Sequence, residues 1–136
     1  KADRGEHAFT YSLYPHKGSW AVGGTVRAGF ELNVPLQVCD AAPKAAQMAC
    51  DSFVRISNAN VVLDSVKKAE DGDGYILRLY EACGGGGKVT VRTAVPVKQV
   101  IACNLMEDNE TEIPVESGGF TFETTPYCIH SFRVRT

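Results

Sequence analysis

The stretch Val61-Val62-Leu63-Asp64-Ser65-Val66-Lys67-Lys68-Ala69-Glu70-Asp71-Gly72-Asp73-Gly74-Tyr75-Ile76-Leu77-Arg78-Leu79-Tyr80-Glu81-Ala82-Cys83 decides the fold. Two apolar runs flank Asp71-Gly72-Asp73-Gly74, and Asp-Gly supplies the positive φ values that tight hairpin turns require. Val61 to Lys67 is one expected strand and Tyr75 to Cys83 its partner, with Tyr75, Leu77 and Leu79 on one face. Working toward the C-terminus, Gly84 to Gly87 makes a second turn. Val89, Val91, Thr93 and Val95 then alternate with Lys88, Thr90 and Arg92. Pro96 interrupts the run, and Val97 to Leu105 resumes it. Ile113 to Val115, Phe120 to Glu123 and Tyr127 to Val134 follow as strands.

Working toward the N-terminus, Phe53 to Ile56 is a short strand. Asp40 to Cys50, rich in alanine and holding Pro43, reads as a surface excursion, and Pro35 to Val38 as a further short strand. His7 to Tyr14 alternates with period 2, so a half-buried strand is expected there, ended by Pro15. Trp20, Val22, Val26 and Phe30 are spaced by two and four, which suits a helix or irregular crossover, although Gly23 and Gly24 weaken a helix. The expected architecture is all-β: an antiparallel β-sandwich of about nine or ten short strands with at most one short helix. With 136 residues, a single domain over 1–136 is expected.

Composition narrows the function classes. Fourteen Lys and Arg against 16 Asp and Glu give a net charge of -2, without the basic excess of a nucleic-acid binder. No apolar stretch approaches the roughly 20 residues that cross a bilayer as a helix, so no membrane partner is expected. The chain opens at Lys1, with no methionine, in residues that already read as a strand, and is expected to be a piece of something larger or a processed chain. The five cysteines (Cys39, Cys50, Cys83, Cys103 and Cys128) lack the short spacings of zinc sites. They read as small buried hydrophobes in a reducing compartment, the rival being a Cys39–Cys50 disulfide. Asn109-Glu110-Thr111 is a glycosylation sequon, meaningful only in a secreted chain.

Motifs that carry chemistry fail on inspection. Gly84-Gly85-Gly86-Gly87-Lys88 lacks the first glycine of a phosphate loop, Ala82 standing there, and has Val89 where Ser or Thr is needed. It reads as a mobile hairpin tip. Counted as a calcium loop from Asp71, positions 5 and 12 are Tyr75 and Ala82, so Asp71 and Asp73 read as solvated turn carboxylates. Glu107, Asp108 and Glu110 fall in turns as well. Glu81, at the end of the Tyr75 strand, is expected to pair with Arg78 or another nearby base. His7 and His16 form no metal-binding spacing, and His130 beside Phe132 reads as a packed histidine. Tyr14, His16 and Trp20, on or beside a turn, are the candidate substrate-binding residues, because aromatic faces stack on sugars and loops on rigid scaffolds carry sites.

Several stretches together resemble one family. Gly5-Glu6-His7-Ala8-Phe9-Thr10-Tyr11-Ser12-Leu13-Tyr14-Pro15-His16-Lys17-Gly18 is similar to the segment opening the last β-region of family 38 glycoside hydrolases, the α-mannosidases, in their cytosolic and bacterial branch. Glu31-Leu32-Asn33-Val34-Pro35-Leu36, the run from Val61 to Ala82, Asn104-Leu105-Met106-Glu107 and the final strand from Pro126 fit the same layout. The resemblance implies a retaining, zinc-dependent parent enzyme that hydrolyses α-mannosides. Its aspartate nucleophile and zinc ligands lie in an N-terminal catalytic domain, so no catalytic or metal-binding residue carries over to this segment. What it implies here is a non-catalytic C-terminal β-sandwich domain. That domain packs on the catalytic domain, frames its cleft and works in the cytoplasm; an autonomous carbohydrate-binding module is the alternative. A domain cut from such a partner is expected to expose apolar surface and to be marginally soluble or to self-associate.

Overall fold

The computed structural model describes residues 4–38, 40 and 52–136. They fall into two compact units, 1–38 and 39–136. The Asp40–Cys50 excursion, Asp40 apart, and a Cys39–Cys50 disulfide lie outside the described residues.

The first unit holds one helix, α1 (Thr25–Asn33), and no strand among its described residues. Gly23 and Gly24 precede the helix rather than interrupt it. Gly24 sits at φ 69 as the N-cap, so the glycines turn the chain and the helix begins at the first residue with good helical geometry. The expected strands over His7–Tyr14 and Pro35–Val38 do not form. A strand needs a neighbour to receive its backbone hydrogen bonds, and the described residues of this unit offer none. Phe9, Tyr11 and Leu13 are accordingly 82%, 85% and 92% exposed.

The second unit is the sandwich. Its strands are β1 (Val54–Ile56), β2 (Val61–Lys68), β3 (Tyr75–Glu81), β4 (Gly87–Thr93), β5 (Gln99–Cys103), β6 (Asn109–Ile113), β7 (Val115–Glu116), β8 (Gly119–Thr124) and β9 (Ile129–Arg135). They form two antiparallel sheets, ordered β1-β4-β8-β7 and β2-β3-β9-β5-β6. The β2–β3 hairpin forms as the Asp-Gly signal requires, with Lys68 opposite Tyr75, and a bulge between Leu63 and Ser65 shifts the register. β6 is the strand that periodicity misses. Asn109 to Glu112 are all exposed, so this edge strand carries no alternation of buried and exposed positions.

Alternation elsewhere builds one core. Leu77 and Leu79 of β3, Val89 and Val91 of β4, Phe120 and Phe122 of β8, and Phe132 and Val134 of β9 pack between the sheets. The ring of Phe132 lies 4.8 Å from those of both Phe120 and Phe122, joining one sheet to the other. Ile76, pointing to the opposite face of β3, is covered with Ala69 and Cys103 in a smaller cluster. Among the described residues no helix is long and apolar enough to cross a membrane.

Candidate functional site

In the first unit, Tyr14 and His16 come together, their ring centroids 5.9 Å apart. The Tyr14 hydroxyl donates to the Gly23 carbonyl at 3.1 Å. The His16 imidazole lies against Gly23, where an added Cβ would meet Nδ1 at 2.4 Å, so only glycine fits. Trp20 contributes backbone, its carbonyl accepting from the Thr25 hydroxyl at 3.0 Å, while its indole is exposed. A hollow of about 350 Å³ is lined by Ser12, Tyr14, Thr25, Ala28, Gly29 and Leu32. Of the three sequence candidates only Tyr14 lines it.

In the second unit the central feature is Glu81. It follows Leu77 and Leu79 on the core face of β3 and is 2% exposed. Among the described residues its partner is not Arg78 or another base but backbone: the carboxylate accepts from the N–H groups of Cys83 at 3.0 Å, Gly84 at 2.8 Å and Tyr127 at 3.0 Å. Burial pushes the carboxyl's pKa up, but the N–H groups of Tyr127, Gly85, Cys83 and Gly84 outweigh it and hold it below the ordinary value. Arg78 donates to the Leu105 carbonyl instead, at 2.9 Å.

Glu81 thereby joins the β3–β4 and β8–β9 turns. The glycine run is an anchored turn rather than a loose tip. Gly84 takes φ 76 and lies under the phenol end of Tyr127, where a Cβ would meet the hydroxyl oxygen at 2.6 Å. Tyr127 itself sits at φ 58, a left-handed conformation that costs a bulky side chain about 1–3 kcal/mol. Its side chain does not serve the core, since the residue is 67% exposed.

A second polar cluster occupies the outer face of the five-stranded sheet. Arg133, 3% exposed, donates to both carboxylate oxygens of Asp71 at 2.7 and 2.8 Å, to the Asp73 carbonyl at 2.8 Å and to Asn109 Oδ1 at 2.9 Å. Arg135 pairs with Asp73, and Lys67 with Glu70 and, at 2.7 Å, with Glu107. Asp71 and Asp73 are therefore arginine-paired rather than simply solvated, which leaves the calcium-loop reading nothing to stand on. Glu107, expected in a solvated turn, is buried. The Lys67 ammonium and the Glu70 N–H hold its carboxyl below the ordinary value despite desolvation.

His130 is packed as expected. Its ring lies 4.7 Å from that of Phe122, its Nε2 is 2.9 Å from the Thr124 hydroxyl, and burial lowers its pKa. Cys83, Cys103 and Cys128 are free thiols. Among the described residues no three His, Cys, Asp or Glu side chains group together to hold a metal.

Comparison with known proteins places this geometry. Residues 60–132 match the model of the glycosyl hydrolases family 38 C-terminal beta sandwich domain. The chain belongs to that family. The matched span runs from the start of β2 into β9 and holds Glu81, the glycine run, Tyr127 and His130; Tyr14, His16 and Trp20 lie outside it. The chain is similar to alpha-mannosidase G of Dictyostelium discoideum, 29% identical over 136 residues, which cover 96% of this chain and 12% of the relative. It is also similar to alpha-mannosidase 2C1 of Homo sapiens, 40% identical over 109 residues (78% of this chain, 10% of the relative), and of Mus musculus, 38% identical over 112 residues (80% and 11%). The chain thus spans about a tenth of the length of these relatives. Glu81 keeps the structural role the sequence suggests but with backbone rather than a base as its partner; its one signal in the sequence is an acid at the end of an otherwise apolar core face.

Proposed function

We propose that this chain is a non-catalytic C-terminal β-sandwich domain of an α-mannosidase. It packs on the N-terminal catalytic domain of the same polypeptide and helps frame the cleft that takes the α-mannoside. The observation that carries this reading is membership of a family 38 C-terminal domain family in a chain about a tenth as long as its α-mannosidase relatives. Zinc and the nucleophilic aspartate belong to the catalytic domain in this reading, so the retaining chemistry is the parent's. The free thiols of Cys83, Cys103 and Cys128 support a reducing compartment, and we assign the domain to the cytoplasm. The test is turnover of a nitrophenyl α-mannoside by the isolated 136-residue chain with and without added zinc. No release of nitrophenol is expected; turnover proportional to chain concentration overturns the reading.

A second reading, an autonomous carbohydrate-binding module, is favoured by the Tyr14–His16 ring pair beside the 350 Å³ hollow. Calorimetry with mannose and mannobiose separates the two. Heat abolished by Tyr14→Ala supports the module, and its absence at millimolar sugar leaves the structural role.

A further inference from the structure

Three features meet at one end of the sandwich. A carboxylate is buried at Glu81 where an apolar residue would continue the face of Leu77 and Leu79, and its hydrogen bonds go to turn backbone. Tyr127 occupies a left-handed position that glycine or asparagine would fill with less strain. Its ring, instead of being buried, rests by its phenol end over Gly84 and is otherwise open to solvent. Strain retained at an exposed aromatic, and fixed by a buried clamp spanning 46 residues of sequence, marks a side chain held in place for something outside the domain.

We propose that Tyr127, seated on Gly84 and held by the Glu81 clamp, is a rigid stacking platform for the apolar face of a pyranose ring of an α-mannoside. This rests on the α-mannosidase reading for the choice of sugar. The chemistry is dispersion between the C–H face of the sugar and the aromatic ring, whose backbone the clamp holds. Glu81 is a positioning residue and does not touch the sugar.

The experiment is saturation-transfer NMR on the 136-residue chain with methyl α-mannoside and α-mannobiose, together with chemical-shift mapping and thermal melts of Tyr127→Gly, Tyr127→Phe and Tyr14→Ala. Wild type is expected to transfer saturation to the sugar C–H protons at millimolar ligand, with shifts centred on Tyr127 and Gly84. Tyr127→Phe keeps binding, because the ring remains. Tyr127→Gly melts no lower than wild type, since the strain is relieved, yet weakens binding about five- to tenfold. Tyr14→Ala leaves binding unchanged. Absence of transfer, shifts centred on Tyr14, unchanged binding in Tyr127→Gly, or a marked loss of stability in that variant overturns the platform. None of these outcomes yields nitrophenol, so failure here is distinguishable from failure of the α-mannosidase domain reading.

Discussion

The carboxylate of Glu81, in β3, accepts a hydrogen bond from the backbone N–H of Tyr127 at 3.0 Å, tying together turns 46 residues apart in the chain. The same carboxylate takes Cys83 and Gly84, so a single side chain organises the β3–β4 and β8–β9 connections. Hydrogen bonds to a buried charge are stronger than neutral ones, and leaving their donors unpaired is costly.

Glu81→Ala is therefore expected to lower stability by about 2–4 kcal/mol and Glu81→Gln by about 1–3 kcal/mol. Chemical denaturation measures both. Hydrogen exchange adds a local reading: the Tyr127 and Gly84 amides lose protection in Glu81→Gln more than the Leu77 and Leu79 amides do. Equal loss at all four sites would refute a clamp acting on the turns.

Arg133 is buried with five hydrogen bonds, to Asp71, Asp73, Glu107 and Asn109. Lysine cannot reproduce the bidentate fork, so Arg133→Lys is expected to cost about 2–3 kcal/mol. Asp71→Asn costs less, because Asp71 is half exposed and water replaces part of the pair. A double-mutant cycle of the two should be non-additive; strict additivity would show that the pair is not coupled.

Acid should unfold the domain in two stages. The imidazole of His130 has a pKa lowered by burial, so the unfolded chain binds its proton first and stability falls as pH drops below 6.5. The carboxyls of Glu81 and Glu107 also lie below their ordinary value of 4.5, and that of Asp71 below 3.8, so their contributions are full above those values and vanish as pH falls through the folded ones. Melting temperature against pH checks this: His130→Asn should flatten the upper stage and leave the lower. A stability maximum below pH 5 would contradict the signs.

The exposed faces of Phe9, Tyr11 and Leu13 predict concentration-dependent self-association of the isolated chain. Sedimentation of wild type and of the triple serine variant at these positions is the check. A monodisperse wild-type monomer at high concentration would contradict it.

The sandwich was legible before any coordinates because its causes are local. Asp71-Gly72-Asp73-Gly74 can turn a hairpin by itself, and the alternation through Leu77, Val89, Val91, Phe120 and Phe132 assigns each strand a core face. Motif resemblance in the same stretches indicated the family. Three features were decided only by tertiary structure. His7 to Tyr14 has a strand's periodicity but, among the described residues of its own unit, no strand to pair with, and a ladder cannot form on one side alone. Asn109 to Ile113 lacks that periodicity, yet is a strand because β5 supplies the hydrogen bonds. The partner of Glu81 is backbone brought in from position 127, and periodicity, which records the face a residue occupies, carries nothing about which distant N–H groups the folded chain aims at it.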